Sequence, residues 1–274
     1  MSDRLVDRAR RSSHAALPPA TRTVLVRGAA VRVAELGTAE DASTSPLVLV
    51  AGLAGSGETW CRVAPALAAA GRRVVLVDLP GFGALGGHRR LLPIPQQAEW
   101  LAALLDAGEW GLPGGPGAAG GVDVVGYSLG GSVAARVAAA RPELVRRLVL
   151  VAPAGVPSQR GQLPDFASLL HMAWLAGPSF WPNLARDARR AGLRSIVAAA
   201  REVRLDDATA LLPRIVAPTL ILRGDRDTLV PRGDVERIAA LVPGARLETL
   251  PHTGHGSMAE CPGALAAAIL AFVA

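Results

Sequence analysis

The sequence predicts an α/β fold in which a mostly parallel, eight-stranded sheet is flanked by helices and carries an inserted helical cap. From Thr23 onward, short apolar runs alternate with longer alanine-rich segments of helical periodicity. Between about residues 156 and 213 the pattern is helical only, and strands then resume. A strand–helix series interrupted by an all-helical block favours an open parallel sheet with an insertion. With 274 residues, of which 50% are hydrophobic, the chain can bury a core of that size.

Eight apolar runs are predicted as strands. The first two, residues 23–26 and 30–35, lie on either side of Arg27-Gly28 and predict a leading hairpin. The others span residues 47–50, 74–77, 122–125, 148–151, 219–222 and 247–250. Among them, the continuous apolar runs at 47–50 and 74–77 are typical of parallel strands covered by helices on both faces.

The segments between these strands are predicted as helices. In the sheet region they span residues 58–70, 95–107, 132–140, 234–241 and 263–273. In the all-helical block they span residues 165–175, 181–191, 193–204 and 206–211. The pattern therefore divides the chain into an N-terminal arm, residues 1–22, a core, residues 23–152 and 214–274, and a helical cap, residues 153–213.

Composition argues against several classes of function. The net charge of +6 comes from arginine alone, because the chain has no lysine, and no dense basic stripe with interleaved aromatic residues occurs, so nucleic-acid binding is not expected. Cys61 and Cys261 are too far apart in sequence to suggest a disulfide framework or a thiolate metal site. Without an apolar leader or a long uncharged apolar run, we expect no membrane span and a cytoplasmic location.

Ser128 is the central residue of the sequence Gly126-Tyr127-Ser128-Leu129-Gly130, which joins the strand at 122–125 to the helix at 132–140. A sharp strand-to-helix turn of this kind exposes the serine hydroxyl and requires small residues two positions before and after it. The N-terminal amides of the following helix favour a developing negative charge. The motif alone can arise by chance in a glycine-rich chain, but its context predicts a nucleophilic serine.

Loops after two later strands offer an acid and a base. Asp225 and Asp227 follow the strand at 219–222, and either carboxylate could orient a histidine. His252 and His255 follow the last strand, and His255 is the better placed to reach a serine at the centre of the sheet. These histidines lie on a glycine loop without a third ligand nearby, so no metal site is predicted.

The glycine-rich turn at residues 51–56, after the strand at 47–50, exposes backbone N–H groups. The amides of Leu53 and Leu129 are predicted to form a two-donor oxyanion hole. Taken by itself, this segment is also compatible with an ordinary strand-to-helix turn. Asp78, which begins another rigid turn, is expected to have a structural role.

The chain order of these residues, serine, then aspartate, then histidine, is that of α/β-hydrolases. From about residue 23 onward the sequence resembles the capped α/β-hydrolase superfamily. The phrases that carry the resemblance are residues 126–131, residues 78–83, Gly224-Asp225-Arg226-Asp227 with Val230-Pro231, and Gly254-His255. The resemblance implies that Ser128 is the nucleophile, Asp227 the acid and His255 the base, while Asp225 and His252 have no direct catalytic role. One departure is Ala51-Gly52, where relatives usually carry His-Gly.

The resemblance implies a serine hydrolase that cleaves an ester or related acyl compound of small size through an acyl-enzyme, without cofactor or metal. A carbon–carbon bond hydrolase with the same triad is an alternative. A ligand-binding protein that keeps the fold without turnover is the alternative outside enzymes.

An aromatic cluster in the predicted cap suggests a substrate pocket. Together with Tyr127, the residues Trp174, Phe180 and Trp181 are expected to line an apolar acyl pocket over Ser128. The competing interpretation is that part of the cluster is the helix face that packs on the core. Arginines of this region such as Arg186, Arg190 and Arg194 could bind a substrate carboxylate, but we expect them to be mainly solvated.

Overall fold

The computed structural model describes residues 21–37, 45–88, 91–107, 121–157, 174, 177–178 and 180–274. Within them, eight strands form one sheet in the order β1-β2-β4-β3-β5-β6-β7-β8. The strands are β1 Thr21–Val26, β2 Ala29–Leu36, β3 Leu47–Val50, β4 Val74–Val77, β5 Val122–Tyr127, β6 Val145–Val151, β7 Thr219–Gly224 and β8 Arg246–Leu250. β2 pairs antiparallel with β1 and with β4, and all other neighbouring strands are parallel. The predicted mostly parallel, eight-stranded sheet is confirmed.

Eight α-helices accompany the sheet in the described residues. They are α1 Ala64–Ala69, α2 Ile94–Asp106, α3 Leu129–Ala140, α4 Trp181–Ala191, α5 Leu193–Leu205, α6 Arg232–Leu241, α7 Ser257–Glu260 and α8 Pro262–Val273. Short 3₁₀ helices occur at Gly57–Trp60, Gly83–His88, Pro142–Leu144 and Leu212–Arg214. None of the helices described is long and apolar enough to cross a lipid bilayer.

Helices cover both faces of the sheet, which explains why its central strands are apolar throughout. In β3, Val48 and Val50 face the core that contains α2 and α3, whereas Leu47 and Leu49 face the core that contains α1 and α8. All four side chains are fully buried. Burial on both faces removes the alternation of apolar and polar residues that a half-exposed strand would show.

The helix predicted over residues 58–70 is divided in the structure into a 3₁₀ helix, Gly57–Trp60, and the separate helix α1. Pro65 stands in the first turn of α1. Proline suits the beginning of a helix but disrupts its interior, so the chain breaks before this residue.

The helix predicted over residues 206–211 does not form. Asp206 has an extended backbone, with φ −69° and ψ 127°, and its buried carboxylate accepts a hydrogen bond from Ser132 and pairs with Arg136 of α3. These contacts hold the chain against α3 in place of a helical turn. Of the other predictions, the arm at residues 1–20 and the helix at 165–175, apart from Trp174, lie outside the described residues. Thr21 and Arg22, assigned to the arm, belong to β1.

The turn between β5 and α3 brings backbone segments into close contact. Ser128 lies at this turn with φ 53° and ψ −117°, a conformation that costs an L-residue about 1–3 kcal/mol. A Cβ atom at Gly126 would lie 2.5 Å from the carbonyl oxygen of Gly130, and one at Gly130 would lie 2.4 Å from that of Ala51. Only glycine fits at either position, as the strand-to-helix turn requires.

We expect Gly130→Ala to lower the free energy of unfolding by more than about 2 kcal/mol, because the added methyl group meets backbone rather than a movable side chain. Urea unfolding followed by circular dichroism measures this. Gly263→Ala is the matched control, since a Cβ at Gly263 meets nothing within 4 Å, and it should leave stability equal or slightly higher. Equal stability of the two variants would contradict the close approach at Gly130.

Candidate active site

Three of the side chains singled out from the sequence form one hydrogen-bonded row. His255 Nε2 lies 3.2 Å from Ser128 Oγ, and His255 Nδ1 lies 2.9 Å from Asp227 Oδ2. Since a carboxylate accepts hydrogen bonds, Nδ1 carries the proton, and Nε2 is left to accept one from the serine hydroxyl. His255 and Asp227 are 6% and 7% exposed, which keeps bulk water from competing for these bonds.

Backbone amides hold the Asp227 carboxylate in place. Its Oδ1 accepts hydrogen bonds from the N–H groups of Leu229, at 2.8 Å, and Val230, at 3.0 Å, while Oδ2 faces His255. Burial by itself raises the pKa of Asp227. The charge and hydrogen bond of His255, together with the two amides, outweigh burial and bring the pKa below its ordinary value of 3.8. The group is therefore an ionised acceptor at neutral pH.

Asp225 and His252 are exposed and lie outside this row. Asp225 Oδ1 accepts a hydrogen bond from the amide of Thr253 at 2.9 Å, and His252 Nδ1 lies 2.9 Å from Nη2 of Arg226. Both contacts tie the loop after β7 to the loop after β8. In the described part of the chain, no group of three or more His, Cys, Asp or Glu side chains is placed to hold a metal ion.

The loop that carries His255 is fixed by Glu260, which was not singled out from the sequence, and by its close approach to Gly224. Glu260 of α7 accepts hydrogen bonds from the amides of Gly254, at 2.6 Å, and Gly256, at 3.0 Å, one on each side of His255. A Cβ at Gly224 would lie 2.1 Å from the carbonyl oxygen of Thr253, so only glycine lets this loop approach β7. The sequence does contain a signal for Glu260, because it is an acidic residue in the first turn of a helix that follows a glycine-containing loop.

The predicted oxyanion donors lie next to Ser128. Leu129 begins α3, so its amide has no acceptor within the helix. Leu53 lies in the turn after β3 and lines the same cavity as Ser128. A Cβ at Gly52 would lie 3.0–3.1 Å from the ring of Tyr127 and from Ser128 Cβ, so this turn passes directly over the serine.

The turn after β3 is held from the far side by α4. Ser56 donates from its amide, at 3.1 Å, and from its hydroxyl, at 2.8 Å, to Oδ2 of Asp187, and Gly55 N–H bonds to the carbonyl of Gly52 at 3.0 Å. These contacts support the turn, which begins with Ala51 where the resemblance leads us to expect a histidine. Asp187 was not singled out from the sequence.

A charged cluster joins α4 to the sheet. Glu58 pairs with Arg32 of β2, at 3.3 Å, and with Arg186 and Arg190 of α4. Arg32 also bonds to Asp78, whose Oδ1 accepts a hydrogen bond from the amide of Gly57 at 2.7 Å. The expected structural role of Asp78 agrees with these bonds, whereas Arg186 and Arg190 are paired rather than mainly solvated.

A cavity of about 230 Å³ opens over Ser128 and His255. Its walls are mainly apolar and come from the sheet loops and from α4 and α5; among them are Tyr127, Phe180, Leu184, Val203, Leu229 and Met258. Two of the four residues predicted to line a pocket, Tyr127 and Phe180, are thus at the cavity. Trp174 and Trp181 are 70% and 48% exposed and are not among its lining residues.

Tyr127 supports the histidine through its ring. The rings of Tyr127 and His255 lie 5.1 Å apart, and the ring of Trp60 meets Tyr127 edge-on at 6.4 Å. Burial raises the pKa of Tyr127, and the nearby carboxylates of Asp227 and Glu260 raise it further. Tyr127 is therefore a neutral phenol, whose apolar ring packs against the imidazole.

Comparison with known proteins finds hydrolases both by sequence and by structure. Residues 47–268 match the profile of a family described as the alpha/beta hydrolase family. The chain is 31% identical over 240 residues to a pyrrolizixenacetamide deacetylase of Xenorhabdus hominickii, covering 79% of this chain and 86% of the relative. It is 29% identical over 226 residues to a pimeloyl-[acyl-carrier protein] methyl ester esterase of Nitrosomonas europaea, covering 69% and 81%. A crystal structure of a hydrolase from Pseudomonas aeruginosa superposes with a TM-score of 0.72 and 26% identity, covering 93% and 98%.

We expect Asp227→Asn to be less stable than the wild type at neutral pH, by an amount that shrinks as the pH falls from about 5 to about 2. The folded-state pKa of Asp227 lies below its unfolded value, so its contribution is present above the unfolded pKa and is lost as the pH falls through the folded one. Urea unfolding at stepped pH measures the difference.

Leu265→Ala is the control for this series, because Leu265 is fully buried in the core on the α8 face and carries no titratable group. The loss in free energy of unfolding that Leu265→Ala causes should be the same at every pH. A pH-independent cost for Asp227→Asn would contradict the lowered pKa.

Proposed function

The chain belongs to the alpha/beta hydrolase family, and from that premise we propose that it is a serine hydrolase that cleaves an ester or related acyl compound through an acyl-enzyme intermediate. The observation that carries the proposal is the row of Ser128, His255 and Asp227, with distances of 3.2 and 2.9 Å. A serine hydroxyl next to a histidine that a buried carboxylate orients is the arrangement that activates serine as a nucleophile.

In the first half-reaction Ser128 Oγ attacks the carbonyl carbon of the substrate. Its proton passes to His255 Nε2 as the new C–O bond forms, which gives a tetrahedral oxyanion. His255 then gives this proton to the leaving alcohol or amine as the bond to the leaving group breaks. The product of this half-reaction is an ester of Ser128.

Two sets of fixed groups stabilise the charges of this step. Asp227 faces the imidazolium that forms on His255, and its lowered pKa keeps it ionised. The amides of Leu53 and Leu129 are the proposed donors to the oxyanion, each of which is typically worth about 100-fold or more in rate. Both sit on backbone held by close packing around Gly52 and Gly130.

In the second half-reaction water takes the place of the leaving group. His255 Nε2 accepts a proton from the water as its oxygen attacks the acyl carbon, and returns the proton to Ser128 Oγ as the ester bond breaks. The products are a carboxylic acid and the regenerated enzyme.

The cavity supports a small substrate, and the relatives support an acyl substrate. The cavity of about 230 Å³ is mainly apolar, which suits the carbon chain of an acyl or alcohol group. We assign residues 153–213 as a cap, because α4 and α5 supply walls to this cavity from the segment between β6 and β7. The two relatives named above are a deacetylase and a methyl ester esterase, and both names describe cleavage of an acyl compound.

We expect an organophosphonate probe to label the wild type at one site and to leave Ser128→Ala unlabelled. In the same variant kcat for p-nitrophenyl esters should fall at least about 1,000-fold, because no nucleophile remains. Ser195→Ala, on α5 and outside the cavity lining, is the matched control and should be labelled like the wild type. Full esterase activity of Ser128→Ala would refute the proposal. Turnover of a vinylogous diketone without ester hydrolysis would assign carbon–carbon bond cleavage instead.

We expect Asp227→Asn to lower kcat about 1,000-fold or more with little change in KM, because an amide no longer stabilises the imidazolium. Asp225→Asn is its matched control, two residues away on the same loop and exposed, and kcat should stay close to wild type. Steady-state kinetics on one ester compares them. Equal losses in both variants would show that the loop, not the carboxylate of Asp227, matters.

A further inference from the structure

The largely apolar wall of the cavity contains one carboxylate side chain among the described residues. Asp187 of α4 is 5% exposed and lines the cavity together with Ser128 and His255. The mechanism above does not use it. Burying a carboxylate costs free energy of folding unless its charge is paired and its oxygens accept hydrogen bonds.

The two oxygens of Asp187 differ in their surroundings. Oδ2 accepts both hydrogen bonds from Ser56, at 3.1 and 2.8 Å. Oδ1 is buried and makes no hydrogen bond within the part of the chain that the structure describes, and Nη1 of Arg190 lies beyond hydrogen-bond range at 3.7 Å. The carboxylate is therefore held in position by one oxygen, and the capacity of the other to accept a hydrogen bond is unused.

The charges around Asp187 favour an uncharged partner. In the described residues its ion-pair cluster contains three arginines and three carboxylates: Arg32, Arg186, Arg190, Glu58, Asp78 and Asp187. The positive charges of the arginines are already balanced, because the arginines pair with Glu58 and Asp78. Burial, more than any other cause, raises the pKa of Asp187. An ammonium group would add an unbalanced positive charge, whereas a neutral donor leaves the balance unchanged.

We propose that Asp187 Oδ1 determines substrate specificity by accepting a hydrogen bond from an uncharged donor, a hydroxyl or amide N–H, on a substrate whose remaining surface is apolar. The apolar remainder contacts side chains such as Leu184, Val203 and Met258. This inference rests on the proposed ester hydrolysis at Ser128 and names the substrate class of that same site.

Turnover of matched esters tests the role of Asp187. The substrates are pairs of p-nitrophenyl esters that differ only by a hydroxyl in place of a methyl group, moved along the acyl chain one carbon at a time. At one position we expect kcat/KM of the wild type to favour the hydroxyl ester about 10-fold or more, as for a hydrogen bond to a charged group. Asp187→Ala should bring this ratio to about one, and so should Asp187→Asn, because its one amide oxygen accepts from Ser56 and its NH2 group, which only donates, takes the place of Oδ1.

Ser56→Ala distinguishes the proposed role of Asp187 in binding the substrate from its role in supporting the turn after β3. It removes the hydroxyl bond to Oδ2 but leaves Oδ1 unchanged, so the preference for the hydroxyl ester should persist even if stability falls. A wild-type ratio near one at every position, an unchanged ratio in Asp187→Ala, or an equal loss of the ratio in Ser56→Ala would overturn the inference.

A binding measurement keeps this test separate from that of the proposed function. In the Ser128→Ala background, calorimetry should give the hydroxyl ester a Kd about 10-fold lower than its methyl counterpart, and adding Asp187→Ala should remove the difference. If the wild type hydrolyses none of the esters, the proposed function fails. Binding to Ser128→Ala then still decides the inference: a difference that depends on Asp187 supports it, and equal binding of the pair refutes it.

Discussion

The site depends on the contact between three backbone segments at the end of β5. Gly126 and Gly130 allow β5, α3 and the turn after β3 to meet at distances that any Cβ atom would prevent. This contact keeps Ser128 at a positive φ and places the turn after β3 beside the serine. Strain of this kind persists only where the surrounding structure over-determines the conformation, as the buried central strands do here.

Around this contact, buried or partly buried carboxylates accept hydrogen bonds from backbone amides of the surrounding loops. Asp227 holds the start of the loop after β7, Glu260 holds the histidine loop, and Asp78 holds the residues before α1. Charge-assisted bonds to amides are stronger than neutral ones and fix direction as well as distance. The loops that carry the proposed base and acid are thereby rigid, although they belong to no helix or strand.

Much of the fold was predictable because its signals are local. Continuous apolar runs marked the central strands β3 and β4, and the glycine spacing around Ser128 marked the turn before α3. The local sequence could not decide whether Asp225 or Asp227 is the acid, because both follow β7. Only the resemblance favoured Asp227, and the structure then shows Asp227 buried and Asp225 exposed. Sequence could not show that Arg186 and Asp187 reach Glu58 and Ser56, because 131 positions separate Ser56 from Asp187 and no periodic pattern links them.

A crystal structure of the protein labelled with a small organophosphonate tests the proposed site most directly. We predict a phosphorus bond to Ser128 Oγ, with the phosphoryl oxygen within about 3.1 Å of the amides of both Leu53 and Leu129. Phosphorus on another residue, or a phosphoryl oxygen directed away from these amides, would contradict the proposed nucleophile or its oxyanion hole.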